Sequence, residues 1–460
     1  IWILYLTFIF VFISYIIFGW MVRRETSEEF TGYAPKKIPI ISKISKVAYF
    51  LSSIPELSYN IFSKGVDQID YNNRFDDKII GFSGIPNKFE SYLLLPKYNI
   101  KLKEYVVNLI DLTTFKILHE WNPNLDSYFQ SLEQKDNDNL WEHLSRDYNN
   151  RRFEICHPLF NSDGSIIFNG QAYTPLIKID KNSNVLWIKS DNEYHHSINS
   201  DIDNNLWVCT RYNPAKIDNK YTGKHFKKRV TYHDDGIRKI TPNGDILFDK
   251  SISEIFIENN MEYLLFATNP FFNNNPIHLN DIQPVPSDTK YWKKGDVFLS
   301  LRNQSMILLY RPETNQIIWK SAGKFFYQHD VDIIDNHRIS IFNNNTKYFW
   351  DGYKVDGENE ILIYDFLTAK YESYQKQNFI NDNIKTVSAG IHEILENGDL
   401  YIEESNYGRL LYYDKTGRLQ WIFLNQSADG FEYSVSWSRI LHKKNDLLKV
   451  RKFLDSKKET

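Results

Sequence analysis

Apolar residues fall along this chain in three regimes. Ile1 to Val22 contain no charged side chain and are almost wholly apolar, and about 20 such residues suffice to cross a bilayer as a helix. A signal-peptide core is shorter and leads to a small-residue cleavage site, whereas Arg23 and Arg24 follow here. The pattern predicts an uncleaved transmembrane helix over 1–22. Between Pro39 and Phe62, the residues Ile40, Ile44, Val47, Leu51 and Ile54 recur at helical spacing. They predict an amphipathic helix, ended or kinked at Pro55, lying at the membrane or against the body. It belongs to a juxtamembrane segment of residues 23–75.

From about residue 90 the pattern becomes short β-branched and aromatic runs broken by Asn, Asp and Gly, the signature of strands and hairpins. One unit recurs: an apolar run, Asp or a substitute, a polar turn, two or three apolar residues, then an aromatic. Its copies start at Asp111, Asp180, Thr241, Arg311, Asp365 and Asp414 and close on Trp121, Trp187, Phe248, Trp319, Tyr374 and Trp421. The copy at Asp365 is the least regular. Repeats of this period indicate sheets arranged radially. The expected fold is all-β: a six-bladed β-propeller over residues 76–450, preceded by the N-terminal transmembrane helix and followed by a tail, 451–460. One or two β-sandwiches with coincidental hairpins are the alternative.

Composition narrows the function. Aromatic residues make up 16% and charged residues 25%, and the net charge is −3, which suits a packed body and not a disordered chain. A nucleic-acid partner is not expected, because its footprint is a strong basic excess. Cys156 and Cys209 are too few for a disulfide framework, and no Cys or His spacing matches a zinc motif. No metal and no cofactor are therefore expected. Arg23, Arg24, Lys36 and Lys37, on the C-terminal side of the apolar helix, would by the positive-inside rule hold the body in the cytoplasm. Oligomeric state is not legible.

Three stretches concentrate histidine, arginine and amides: Tyr194-His195-His196, His278-Leu279-Asn280 with Ser300-Leu301-Arg302-Asn303-Gln304-Ser305, and Gln328-His329-Asp330. His195, His196 and His329 lie eight to ten residues past the tryptophans Trp187 and Trp319. Equal phase in a radial repeat means equal height, so these side chains can meet across a central channel. Strand alternation would turn only one of His195 and His196 inward and would part Asp330 from His329. Arg151, Arg152 and His157 read as a solvated strand edge. His392 is a possible channel residue without an assigned role.

The order His-His, His-x-Asn, Ser-x-Arg-x-Gln-Ser, Gln-His-Asp resembles the bacterial arylsulfotransferase family over roughly residues 90–425. The run from Ser388 through Gly390, His392 and Gly398 to Trp421 is also similar to that family's closing repeats. The resemblance implies nucleotide-independent transfer of a sulfuryl group from an aryl sulfate to a phenol through a sulfohistidine. It implies His329 as nucleophile and His278, Arg302, Asn280 and His196 as the remaining catalytic residues. His195, Gln328 and Asn303 would be substrate-binding. Export to the outer, periplasmic face of the inner membrane is implied too, against the local arginines. The closely spaced cysteine pair of better-known members is absent, and the spacing after Arg302 leaves no room for their substrate-shaping insertion. A membrane-tethered binding module without catalysis, or an aryl-sulfate hydrolase at the same site, are the competing readings.

Overall fold

The computed structural model describes residues 2–31, 39–62, 74–75, 79–130, 149–171, 174–218, 220–221, 232–268, 272–428 and 430–458. Lys36, Lys37 and much of the juxtamembrane segment lie outside them.

In most copies the first residue of the repeat closes its own turn. Asp180 Oδ1 accepts from the amides of Asn182 and Asn184, and Asp414 Oδ1 from those of Thr416 and Arg418. Thr241 Oγ1 does the same for Asn243 and Asp245. Short polar side chains capture backbone amides two residues on, so the chain reverses where they stand. A β-bulge precedes five of the turns, at Leu109/Ile110, Lys178/Ile179, Lys239/Ile240, Leu309/Tyr310 and Tyr412/Tyr413. The hairpin around Asp365 pairs without one, which is its irregularity.

The hairpins extend into antiparallel sheets. Leu279–Pro284, Val297–Leu301, Met306–Arg311 and Gln316–Ala322 make one sheet of four strands. His329–Ile333, Arg338–Asn343, Glu360–Asp365 and Lys370–Tyr374 make the next. A third joins Tyr92–Asn99, Glu104–Asp111 and Lys116–Trp121 to the late strand Arg439–Leu441. Ile391–Ile394, Leu400–Glu404, Arg409–Tyr413 and Leu419–Leu424 carry Gly81–Gly84 at their edge. The largest sheet has seven strands between Ile155 and Ser251, and Thr346–Phe349 with Gly352–Val355 make a separate two-stranded one. The 16-residue strand Val185–Ser200 of the largest sheet pairs through its first part with Thr174–Ile179 and through its second with Leu206–Tyr212.

Apolar clusters fill the gaps between neighbouring sheets. Phe298, Ile307 and Leu309 meet Ile339, Ile341 and Leu362, and Phe342 and Ile361 meet Ile402 and Leu411. Tyr401, Leu410 and Tyr412 meet Leu93, Leu95 and Ile110, so the last sheet packs on the first. The fold is all-β and propeller-like, with its innermost strands around one axis. Residues 451–458, expected as tail, belong to the helix Lys444–Lys458, whose Val450 and Phe453 are buried in the same core as Trp121 and Phe160.

Ahead of the sheets lie helices α1 (Trp2–Thr31) and α2 (Pro39–Phe62). The stretch Trp2–Arg24 has a mean hydropathy of 2.2 and buries none of its surface. Its length and composition meet the requirement for a membrane span, which an N-terminal signal sequence also meets. Helix α2 continues through Pro55 rather than ending there. It packs on α1; Ser45 and Ala48 are buried, while the stripe of Ile40, Ile44, Val47, Leu51 and Ile54 stays exposed.

Candidate active site at the innermost strands

Four histidines are delivered by three innermost strands. His195 and His196 lie on Val185–Ser200, His278 precedes Leu279–Pro284, and His329 opens His329–Ile333. Each strand is interrupted there, with register shifts at His195/Ile198, Leu279/Asp281 and His329/Val331. His196, His278 and Asp330 take left-handed backbone angles, φ 53°, 52° and 30°. Such residues cost on the order of 1–3 kcal/mol each and gather where side chains are re-aimed for function.

The bulge overturns the alternation argument. His195 and His196 do not face opposite ways: their Nδ1 atoms are 2.7 Å apart and their ring centroids 5.0 Å. The His196 ring is also 5.3 Å from His278 and 6.3 Å from His329. Trp437 walls the group, 5.6 Å from His196 and 6.0 Å from His329. On its other side His195 presents Nε2 to the buried Asp235 at 3.6 Å.

Hydrogen bonds assign the tautomer of His329. Asn344 donates through Nδ2 to the carbonyls of Thr386 and Ala389. Its Oδ1 is therefore the acceptor from His329 Nδ1 at 2.7 Å, which puts the lone pair of His329 on Nε2. That lone pair accepts from the Ala389 amide at 3.0 Å. The Asn275 side-chain amide lies 3.0 Å from His278 Nδ1. The Nε2 of His196 meets no hydrogen-bond partner among the described residues.

Burial and then Arg302 hold His329 well below the usual imidazole range and push His278 down to about 3. His196 is held low by burial, the neighbouring histidines and Arg302. One permanent cation thus faces three neutral imidazoles, an arrangement that favours an anion. Arg302 follows Val297–Leu301 in a single 3-10 turn, with its guanidinium 4.8 Å over the Tyr327 ring. Asn303 accepts from Arg302 Nη1 at 3.1 Å and donates to the Asn275 carbonyl, which steadies the guanidinium.

Not every expected residue points into this group. Gln328 is buried and donates to Ser300 Oγ and the Met306 carbonyl, inside the preceding sheet. Asn280 gives an amide hydrogen to the Gln328 carbonyl at 2.8 Å and leaves Oδ1 buried without a partner. It ties two inner strands together next to His329, where the resemblance implies a catalytic residue. Asp330 does not orient His329; it accepts from the His392 amide and ring. The solvated edge proposed for Arg152 and His157 is also wrong, since both are buried. His157 accepts from the Ile198 amide and lies 5.5 Å from Trp437. Asn344, Ala389, Trp437 and Asp235 were not anticipated.

Comparison with known proteins gives a matching family, described as Arylsulfotransferase (ASST), over residues 157–426. No curated protein matches the chain. Among solved structures, a protein of unknown function from Bacteroides caccae is similar at 14% identity and a TM-score of 0.45, covering 77% of this chain and 100% of its own. TolB from Acinetobacter baumannii is similar at 11% identity and a TM-score of 0.40, covering 88% and 74%. Virginiamycin B lyase from Staphylococcus aureus is similar at 11% identity and a TM-score of 0.32, covering 58% and 69%.

Proposed function

This chain belongs to the arylsulfotransferase family, and from that premise we propose that it moves a sulfuryl group from an aryl sulfate to a phenol through a sulfohistidine, without a nucleotide donor. The observation that carries the proposal is the convergence of three neutral imidazoles, His196, His278 and His329, on one arginine, Arg302. Sulfuryl transfer, like phosphoryl transfer, passes through a loose transition state with charge on the peripheral oxygens, so catalysis is mainly positioning and charge stabilisation. Arg302 supplies the charge and an oxyanion-matched fork.

His329 is the nucleophile in this reading. Asn344 fixes its tautomer so that Nε2 holds the lone pair. The Ala389 amide covers that lone pair in the free protein, and the donor displaces it. His329 Nε2 attacks sulfur, the bond from sulfur to the aryl oxygen breaks, and the phenolate departs. The anionic donor beside Arg302 offsets the repulsion that otherwise depresses His278, so this imidazole takes up a proton from solvent as the donor binds and the resulting imidazolium passes it to the phenolate. In the second half-reaction the phenol oxygen attacks sulfur, the N–S bond breaks, and His278 takes the phenol proton.

His196 is a second nucleophile candidate on one specific observation, its Nε2 without a protein partner. Its Nδ1 contact to His195, itself facing Asp235, has the form of an oriented nucleophile. Tyr327 and Tyr353, with ring centroids 5.3 Å apart above Arg302, suit the aryl groups of donor and acceptor. Six blades follow if Val185–Ser200 is divided between two. The body would be held by a single-pass anchor at the outer face of the inner membrane.

The test is turnover of a chromogenic aryl sulfate by the full chain in detergent, with and without phenol, followed by mapping of the trapped sulfuryl group. Phenol-stimulated release with label on His329 supports the scheme, and label on His196 moves the nucleophile to that residue. Release indifferent to phenol marks a hydrolase. A folded chain that releases nothing is a binding module.

A further inference from the structure

Further along the innermost strands lies a second cluster, which the sulfuryl-transfer reading does not use. Asp281 comes from Leu279–Pro284, Asp330 and Asp332 from His329–Ile333, and His392 from Ile391–Ile394. Asp330 Oδ2 accepts from the His392 backbone amide at 2.7 Å and faces its Nδ1 at 2.8 Å. One ligand atom from each of Asp330, Asp332 and His392 lies within 4.8 Å of the other two. His392 is only 3% exposed, and its Nε2 has no hydrogen-bond partner. Asp332 Oδ2 is likewise buried and unpartnered.

The cations near this group are bonded elsewhere. Arg439 gives its guanidinium to the carbonyls of Pro158 and Ile198 and to Asn199 Oδ1. Lys443 pairs with Glu393. Among the described residues no lysine or arginine bonds Asp330 or Asp332. Buried carboxylates of this kind need a proton or a cation.

We propose that Asp330, Asp332 and His392 form a binding site for a divalent cation in the central channel. Two ligands of one ion, at bond lengths of about 2.0–2.3 Å, stand about 3–4.5 Å apart, so the cluster closes on an ion with small side-chain shifts. Two carboxylates with one imidazole form a mixed oxygen and nitrogen set, which suits Mn²⁺ or Zn²⁺ better than Ca²⁺ or Mg²⁺. The ligands come from two inner strands and are 62 residues apart between Asp330 and His392, so no local spacing motif announces them. A cation here ties these strands together at the axis, one residue from His329.

The experiment uses the full chain in detergent, treated with chelator and titrated with Mn²⁺ alone and with Zn²⁺ alone by calorimetry. Thermal unfolding is recorded before and after. About one equivalent should bind and raise the unfolding temperature, and affinity should fall at least tenfold in Asp332→Asn and in His392→Gln. Stoichiometry in the wild-type chain stands whether or not a variant folds. Absence of stoichiometric binding by the folded, chelator-treated wild type overturns the site, as does binding of equal affinity in both variants when they are folded. None of these readouts depends on sulfuryl transfer.

Discussion

At the scale of single residues the site rests on one cation and several imidazoles kept neutral. Removing a preorganised charge from a transferring oxyanion costs about 10²–10³ in rate, so Arg302→Ala should lower kcat/KM by about that factor while the chain stays folded. Turnover of a chromogenic aryl sulfate checks it. His278 separates differently. If it protonates the departing phenolate, His278→Ala should barely affect a nitrophenyl sulfate, whose phenolate leaves unaided, and should slow donors of less acidic phenols progressively. A loss independent of the leaving group would remove the acid role. The same residue has a stability signature. Its folded-state pKa is depressed to about 3, against about 6.5 in an unfolded chain. The stability that comes from keeping it neutral is present above pH 6.5 and is lost as pH falls from there toward 3. His278→Gln should therefore flatten the decline of unfolding temperature between about pH 6.5 and 4.

At the scale of elements, the hairpin Thr346–Phe349 with Gly352–Val355 is inserted between two strands of the sheet that carries His329. Tyr353 reaches from it to Tyr327, and Tyr327 lies against Arg302. An aromatic contact is worth about 0.5–1.5 kcal/mol, so Tyr353→Ser should raise KM for aryl sulfates about 2- to 10-fold with little change in kcat, by steady-state kinetics. Elements also mark where reading the sequence succeeds and where it stops. The hairpin repeat was legible because most copies begin with a residue that caps its own turn, as Asp180 and Asp414 do. His196, His278 and Arg302 were legible from motif order and repeat phase. The bulges were not: a register shift leaves no mark in the apolar pattern, and it reversed the expectation that His195 and His196 part. Trp437 and Asn344 reach the site from outside the quoted motifs, Ala389 acts through a backbone amide that no side chain announces, and Gln328 looked functional only because it stands next to His329.

At the scale of the whole molecule, a radial fold must stop its first and last sheets from parting. Here the late strand Arg439–Leu441 completes the sheet begun by Tyr92–Asn99, with Leu441 opposite Tyr92. The helix Lys444–Lys458 then reinforces the closure. Phe453 is fully buried, its ring 5.1 Å from His119, 5.6 Å from Phe160 and 6.3 Å from Trp121. A β-carbon at Gly164 would come within 2.4 Å of the Phe453 ring, so the helix sits directly on a turn too tight for a side chain. Deleting a buried phenylalanine costs about 3–5 kcal/mol, and Phe453→Ala should lower the stability of the body accordingly in denaturant titration. Truncation at the other end should act differently. Helices α1 and α2 pack on each other, whereas Arg74 pairs with Glu404, and its backbone amide and that of Phe75 donate to Glu432. A chain starting near residue 70 should keep the unfolding temperature of the full protein, and one starting at residue 80 should fall below it. If both truncations unfold alike, Arg74 is not part of the closure. If Phe453→Ala leaves the transition unmoved, strand pairing at Leu441 alone holds the ring.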